Sequence, residues 1–442
     1  MATQESSTVL RQLHRRILDA RANSDSLFQI LREDSFYGRP IPERHRIIFY
    51  LGHLEAFDWN LFREHLFAAN SSTPAFDQLF AFGIDPVDGG LPTDQPVDWP
   101  SLPEVRQYVQ WLRTQVDDAL EAGKFSKLTP AHQEGAETLL QVAIEHRLMH
   151  GETLAYMFHQ LPYGRKIPQR QSGTASATVE NDLVEIPEGD STLGLPRNSS
   201  SSFGWDNEFE SLTVSVPRFR INRFMVTNDE FLRFLEEGGY ENREHWSAED
   251  WQWKEQNAIR HPAFWKQAGS SWLYRGMFEE LPLPTNWPVY VSHSEASAYA
   301  RWSNQYLPSE AQWHRAAYGT KQGIERRFTW GSAEPTTSFG NFDFHRWDPS
   351  PVNAHPADQS AFGVAGLLGN GWEWTSTPFG PFPGFQAFSF YPGYSANFFD
   401  NKHYVIKGGS ARTAACLLRR SFRNWFQPHY QYVYAGFRCV SE

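Results

Sequence analysis

The sequence predicts a multidomain α+β protein, in which an N-terminal four-helix bundle precedes a domain of short strands and turns. Three observations support this prediction. The chain has 442 residues, more than a single hydrophobic core usually serves. Apolar residues recur at helical spacing through the first 160 residues. In contrast, 14 of the 17 tryptophans lie beyond residue 200, so the two halves must build different kinds of core.

Four amphipathic segments carry the helical prediction, at residues 7–31, 42–67, 104–122 and 130–158. The third follows Pro103 and meets a plausible stop at Gly123. The fourth opens at Thr129-Pro130, where an N-cap residue precedes a proline at the first helical position. Four such helices joined by polar loops are typical of a bundle.

The composition changes after residue 160. Residues 161–182 are polar, basic and rich in helix-breaking residues, which predicts a linker. From residue 183 onward, glycines and prolines interrupt short strand-like segments. A few short helices are predicted between them, at 228–239, 294–305 and 309–319. The predicted organisation is therefore a helical domain at 1–160, a linker at 161–182 and a second domain at 183–442.

Composition also excludes several classes of protein. The net charge of −11 argues against a nucleic-acid or anionic-membrane partner. The only two cysteines, Cys416 and Cys439, cannot supply a disulfide scaffold or a cysteine-ligated zinc or iron–sulfur site. No apolar stretch has the length of a membrane span, and the first residues lack the apolar core of a signal peptide. We expect a soluble, cytoplasmic protein with small-molecule substrates.

Three histidines occupy apolar helix faces. His146 and His150 are four residues apart on the fourth predicted helix, and His53 lies on the second. Burying imidazoles costs free energy unless each is hydrogen-bonded or binds a metal. Three inward-facing histidines describe a metal site with open positions, for which zinc and iron are both suitable. Glu55 and Glu152, each two residues from a histidine, are either acceptors for ring N–H groups or solvated carboxylates.

The local motifs indicate a family. LGHLEAFDWN (51–60) and His146-x-x-x-His150-x-Glu152 resemble the DinB-like domain of the ergothioneine sulfoxide synthases and selenoneine synthases (EgtB/SenA family). The second half resembles the formylglycine-generating-enzyme fold, a C-type-lectin-like module. That likeness rests on the motifs FGWDNE (203–208), VTNDEF (226–231), LPSEAQW (307–313), GNGWEW (369–374), KGGS (407–410), RRSFRNW (419–425) and AGFRC (435–439).

The resemblance implies a chemistry for the histidines. It implies a non-haem Fe(II) ion bound by His53, His146 and His150, and an O2-dependent joining of a chalcogen nucleophile to the imidazole C2 of hercynine. It also implies that Asn424 and Trp425 contact hercynine. An indole face beside a trimethylammonium group contributes about 0.5–2 kcal/mol.

Departures from the family pattern bear on the second substrate. Members that use γ-glutamylcysteine have Asp and Arg where this chain has Phe426 and Tyr430. A doubly anionic peptide needs such charged partners, so it is not the expected donor. Members that use cysteine place tyrosines in the loop after the first histidine helix, but residues 79–83 contain none, and Phe379 also stands in place of a tyrosine.

These substitutions favour a neutral, hydroxylated donor, and the best expectation is selenoneine synthesis with a selenosugar. The alternatives are a cysteine-dependent sulfoxide synthase, a thiol dioxygenase and a lectin-like binding module with a structural zinc. The formylglycine-generating activity itself is disfavoured, because its close cysteine pair is missing. The expected pocket needs the loop at 80–100 to meet residues 424–430 above the metal. Its expected apolar wall consists of Phe80, Phe82, Phe426, His429 and Tyr430, with Asp85, Asp88 and Gln427 available for hydroxyl groups and Met149 near the metal.

Overall fold

The computed structural model describes residues 2–81, 91–123, 135–169, 179–197 and 203–442, with side chains from Thr8 onward. The chain divides into two compact units, Met1–Gln169 and Arg170–Glu442. The division lies within the predicted linker. The first unit is helical and the second is rich in short strands, which confirms the α+β class.

Within its described residues, the first unit contains four long helices and a short one. These helices are α1 (Ala2–Gln29), α2 (Ile47–His65), α3 (Pro74–Leu79), α4 (Leu102–Glu121) and α5 (Ala136–Gln160). Helix α1 packs on α5, and α2 packs on both α4 and α5. The predicted bundle is confirmed. No helix in the described ranges has the length and apolarity needed to cross a membrane.

The predicted starts of α1 and α2 are wrong. Helix α1 begins at Ala2, five residues earlier than expected. Helix α2 begins five residues later than expected, after an extended Arg46, whose guanidinium donates to the Tyr37 carbonyl at 2.7 Å and to Asp94 at 3.0 Å. These contacts hold the preceding chain in turns. Helix α5 begins after an extended Gly135, while Thr129 and Pro130 lie outside the described residues. Helix α3 was not predicted, because six residues are too short to show a helical period.

The beginning of the predicted linker packs against the helical unit. Lys166 forms an isolated antiparallel bridge with Leu31, and the Ile167 N–H donates to the Ile30 carbonyl at 2.7 Å. Backbone hydrogen bonds of this kind require a fixed chain path. Residues 163–169 therefore belong to the helical unit.

The second unit is built from short strands. They are β1 (Leu183–Ile186), β2 (Gly189–Leu193), β3 (Leu212–Val216), β4 (Phe219–Asn222), β5 (Trp265–Ala268), β6 (Ser271–Arg275), β7 (Glu280–Pro282), β8 (Gly371–Pro378), β9 (Tyr404–Gly409), β10 (Asn424–Phe426), β11 (Ala435–Gly436) and β12 (Val440–Ser441). The sheet orders are β1–β4–β12, β2–β3, β5–β6–β7 and β10–β9–β8–β11. Strand β10 runs antiparallel to β9 and pairs Trp425 with Val405 and Phe426 with Tyr404.

In the described part of this unit, four helices of nine or ten residues accompany the strands: α6 (Asn228–Glu236), α7 (Ala248–Gln256), α8 (His293–Trp302) and α9 (Glu310–Tyr318). Each begins after a Thr or Ser whose hydroxyl accepts a backbone N–H of the first turn. Helices α6, α8 and α9 were predicted. Helix α7 was not.

Buried ion pairs brace the core of the second unit. Arg438 donates to Glu373 through two 2.7 Å bonds, and Glu373 also accepts from the Trp313 indole at 2.7 Å. Arg423 donates to both oxygens of Glu310, at 3.0 and 3.1 Å. Such bidentate pairs are geometrically specific. The Arg423 pair fixes the segment that leads directly into β10.

Candidate active site

The three predicted histidines converge in the helical unit. His53 on α2 and His146 and His150 on α5 each present a ring nitrogen, and these three atoms lie within 4.8 Å of one another. The Nε2 atoms of His146 and His150 are 3.1 Å apart. All three side chains are buried, at no more than 5% exposure.

Burial keeps the three imidazoles neutral. Desolvation is the main cause that lowers the pKa of His53 to about 4. Desolvation, followed by the neighbouring histidines, lowers the pKa of His146 and His150 well below the usual value. A neutral imidazole has a free nitrogen lone pair, which is the form that binds a metal.

One hydrogen bond sets the tautomer of His53. Its Nδ1 lies 2.7 Å from the carbonyl oxygen of Phe80, so Nδ1 carries the proton and Nε2 is the metal-binding atom. The Nδ1 atoms of His146 and His150 have no hydrogen-bond partner within the described part of the chain.

The donor set fits a metal ion. Two nitrogens at about 2.1 Å from one ion are roughly 3 Å apart when the bonds meet near a right angle. The 3.1 Å between the His146 and His150 Nε2 atoms matches that spacing. Three neutral nitrogens within 4.8 Å, with no cysteine among them, suit zinc or iron.

Aromatic rings hold two of the imidazoles in place. Phe57 stacks on His146 with ring centroids 3.5 Å apart and planes 13° apart. Phe49 stacks on His53 at 4.8 Å and 21°. Because both rings come from α2, this helix orients a histidine of its own and one of α5.

The expectation that Phe80 lines a pocket is wrong. Its side chain is 0% exposed, and its ring lies so close to Gly52 that a Cβ there would be 2.5 Å from it. It also stacks on Tyr108 at 5.6 Å. The ring therefore belongs to the bundle core, and only the backbone carbonyl of Phe80 contacts the site.

Phe82, Asp85 and Asp88 lie outside the described residues, and Met149 is half-buried on α5 beside His150.

Glu55 does not accept the His53 N–H, because the Phe80 carbonyl occupies that position. Instead, its carboxylate accepts from Arg113 and Arg147, each at 2.9 Å. Burial raises the pKa of Glu55, but nearby arginines outweigh that effect and lower it to about 2. Glu152 is buried on α5.

In the second unit, Trp425 lies among aromatic rings. Phe379 stacks on it with centroids 4.1 Å apart and planes 7° apart, while Tyr394 and Phe398 lie at 5.5 Å. The Asn424 Oδ1 accepts the Trp425 backbone N–H at 2.9 Å. Consequently, the two N–H donors of the Asn424 amide are the groups it can offer to an anion.

The two positions that depart from the family pattern contact each other. Phe426 and Tyr430 stack with centroids 5.3 Å apart and planes 13° apart. These two positions therefore form one stacked pair of neutral rings.

His429, an expected residue of the pocket wall, belongs to a polar cluster with Asp250. His429 hydrogen-bonds Asp250 at 3.0 Å and stacks on Trp253 at 4.5 Å. Burial raises the pKa of Asp250, but hydrogen bonds from His429, Ser247 and Ser294 lower it to about 2. No sequence signal pointed to Asp250, because it lies 179 positions from His429.

The chain thus combines a helical bundle that contains a candidate three-histidine metal site with a second, aromatic-rich unit of short strands. Residues 16–154 match the DinB superfamily, and residues 168–442 match the sulfatase-modifying factor enzyme 1-like domain. The chain is 34% identical over 381 residues to the hercynine oxygenase of Mycolicibacterium thermoresistibile, covering 83% of this chain and 80% of that one. The chain therefore belongs to the hercynine oxygenase family, whose members are oxidative enzymes.

Other relatives agree with this assignment. Identity reaches 40% over 237 residues with the hercynine oxygenase of Mycobacterium tuberculosis, covering 53% of this chain and 55% of that protein. Ergothioneine biosynthesis protein 1 of Neurospora crassa is 27% identical over 516 residues, covering 94% of this chain and 56% of that protein. The chain thus spans little more than half the length of these two relatives. The predicted resemblance to the family is confirmed.

Proposed function

We propose that this protein is an Fe(II)- and O2-dependent enzyme that joins a selenium or sulfur nucleophile to the imidazole C2 of hercynine. The observation that carries the proposal is the trio of buried, neutral histidine nitrogens within 4.8 Å of one another. Three such ligands leave open positions on an octahedral ion. When bound, iron supplies the activation of O2, and the protein supplies binding, orientation and exclusion of water.

The proposed roles of the ligands follow from their surroundings. His53, His146 and His150 would hold the ion, with His53 fixed as the Nδ1–H tautomer by the Phe80 carbonyl. The pKa of about 4 for His53 means that protons do not compete with the metal at neutral pH. The half-buried Met149 precedes the ligand His150 on α5 and would contact substrate through its thioether.

Hercynine carries a trimethylammonium group and a carboxylate, and β10 offers a partner for each. The Trp425 indole would attract the ammonium group through its face. Phe379 covers one face at 4.1 Å, so the opposite face is the one proposed for this contact. The Asn424 amide N–H groups would donate to the carboxylate.

The overall reaction balances with O2 as the oxidant. The C2–H bond of hercynine and the Se–H or S–H bond of the donor break, and a C–Se or C–S bond forms. One oxygen atom joins the chalcogen as an oxide, and the other leaves as water with the two released hydrogens. Four electrons pass from the substrates to O2.

For the donor, we propose a selenosugar. A selenosugar is neutral apart from its selenol and needs no carboxylate-binding arginine. The stacked Phe426 and Tyr430 rings suit the apolar face of a sugar ring. They place no charge where a doubly anionic peptide would need one.

Cysteine is the second candidate donor. It is favoured by the similarity to proteins named hercynine oxygenase and ergothioneine biosynthesis protein 1. A cysteine reaction would yield a hercynine–cysteine sulfoxide by the same balance. The absence of tyrosine at residues 79–83 and at Phe379 argues against it.

A competition assay tests both candidates. Fe(II)-loaded protein is incubated aerobically with hercynine, a selenosugar, cysteine and γ-glutamylcysteine at equal concentrations, and products are read by mass spectrometry. The expected product is the hercynine–selenosugar adduct, and the His150→Ala variant should form none. A cysteine sulfoxide as the main product would refute the selenosugar, and O2 uptake without any hercynine adduct would refute the proposed reaction.

A further inference from the structure

One buried arginine joins the two helices that carry the histidines. Arg147 follows His146 directly on α5 and is 1% exposed. Its guanidinium donates to the Leu54 carbonyl at 2.9 Å, to Glu55 at 2.9 Å and to Asp58 at 2.7 Å, all on α2. Leu54 in turn follows His53. The cross-link therefore lies one residue from a ligand on each helix.

One acceptor of Arg147, the buried carboxylate of Glu55, pairs with three arginines. We call this group of four charged residues the charge hub. Glu55 on α2 receives one arginine from each of the other long helices: Arg21 of α1 at 3.4 Å, Arg113 of α4 at 2.9 Å and Arg147 of α5 at 2.9 Å. A buried carboxylate with such partners keeps its charge, and breaking one pair leaves an uncompensated charge inside the protein. The hub holds α2 in one position against its neighbours.

The contacts of Arg147 are specific to guanidinium geometry. Nη1 donates to Glu55, while Nη2 donates to both the Leu54 carbonyl and Asp58. A lysine keeps the charge but has one nitrogen and cannot span these acceptors in the same plane. The planar fork therefore sets both the separation and the register of α2 relative to α5.

Metal sites are sensitive to such displacement. Ligand distances in a working site stay within about 0.2 Å of their preferred values, so a small slip of one helix removes a ligand from range. His53 is the one ligand on α2, and His146 and His150 are both on α5. The site is thus complete only when the two helices keep their spacing.

We propose that Arg147 is a positioning residue for the metal centre, which sets the spacing between His53 on α2 and His146 on α5 before any metal binds. The inference rests on the metal site of the proposed function. It assigns Arg147 no contact with metal or substrate.

Arg113 provides a matched control. Like Arg147 it donates to Glu55 Oε1 at 2.9 Å, but it lies on α4, which carries no ligand, and its other partner is Asp25 on α1. Arg113→Lys and Arg147→Lys each weaken the hub. Only the second loosens the link between the two ligand-bearing helices.

The test is a titration of metal-free full-length protein with Co(II), read by visible absorption, whose intensity and position report the nitrogen ligand set. Wild type and Arg113→Lys should bind one ion with the same spectrum. Arg147→Lys should bind at least about tenfold more weakly, as changes beside metal ligands typically do, and with an altered spectrum. All titrations are run well below the unfolding midpoint of each variant.

The possible results distinguish a failure of the positioning role of Arg147 from a failure of the metal site itself. Equal affinities for the two lysine variants would overturn the positioning role, because Arg147 would then contribute only to stability. Failure of the wild type to bind Co(II) would overturn the metal site itself. If Arg147→Lys does not fold, Asp58→Asn replaces it. That change weakens one charged bond of Arg147 and should weaken Co(II) binding roughly threefold; wild-type affinity in that variant would also overturn the inference.

Discussion

Replacing Gly52 by alanine tests how the bundle core positions the candidate metal site. Gly52 precedes His53 on α2, and a Cβ at this position would lie 2.5, 2.6 and 2.6 Å from three atoms of the Phe80 ring. Ordinary contacts of this kind are about 3.5–4.0 Å. The ring must therefore move by roughly 1 Å, and it is 0% exposed, so its neighbours must move with it.

The expected cost follows from two opposing terms. Overpacking a closed core costs about 1–3 kcal/mol, and a displacement near 1 Å belongs at the upper end of that range. Alanine in place of glycine in a helix interior stabilises the folded state by up to about 1 kcal/mol. The net loss in the free energy of unfolding should be about 1–2 kcal/mol, which lowers the unfolding midpoint by about 2–8 °C for a unit of this size.

The Gly52→Ala substitution should also weaken metal binding, because it displaces a backbone carbonyl. Moving Phe80 displaces the carbonyl that accepts the His53 Nδ1–H at 2.7 Å, and loss of such a partner typically weakens metal binding 10- to 100-fold. Thermal unfolding and a metal titration measure the two effects. Adding Phe80→Leu, which shortens the ring but keeps the carbonyl, should restore much of both.

Gly164→Ala is the control, since a Cβ there meets nothing within 4 Å. It should leave both the unfolding midpoint and the metal affinity near their wild-type values. If Gly52→Ala behaved like this control, Phe80 would not be packed against α2 as described, and the role of its carbonyl would be refuted.

Three further predictions address the site. His150→Ala should abolish metal binding, measured by elemental analysis, while tryptophan fluorescence of the second unit stays native; retained metal would contradict the ligand set. The pKa of His53 is lowered to about 4, so below pH 6.5 the unfolded state takes up a proton that the folded state does not. Because of His53, the free energy of unfolding of the metal-free protein should therefore fall by about 2 kcal/mol between pH 6.5 and 5. In chemical unfolding, His53→Gln should show a weaker dependence of this free energy on pH. Phe426→Asp with Tyr430→Arg should allow γ-glutamylcysteine to form an adduct detectable by mass spectrometry; an unchanged donor preference would show that this pair does not select the donor.

Much of the fold was predictable because its signals are local. The apolar period of 3.6 residues predicted the long helices, and the short segments at 228–239, 294–305 and 309–319 predicted α6, α8 and α9. Helix α3 is too short to show a period, and the start of α2 depends on Arg46 reaching Tyr37 and Asp94. A hydrogen bond between residues 48 positions apart cannot be recognised from the local sequence.

By itself, the sequence determined the class of the protein through its local motifs. It also predicted the three candidate metal ligands, because the spacing of His146 and His150 and the apolar faces of two helices place three imidazoles inward. Only the tertiary structure decided which groups support those ligands. The acceptor for His53 is the backbone carbonyl of Phe80 rather than the nearby Glu55, and Glu55 instead joins arginines from three other helices. A backbone acceptor has no side-chain signature, and a buried charge hub exists only after distant helices have packed together.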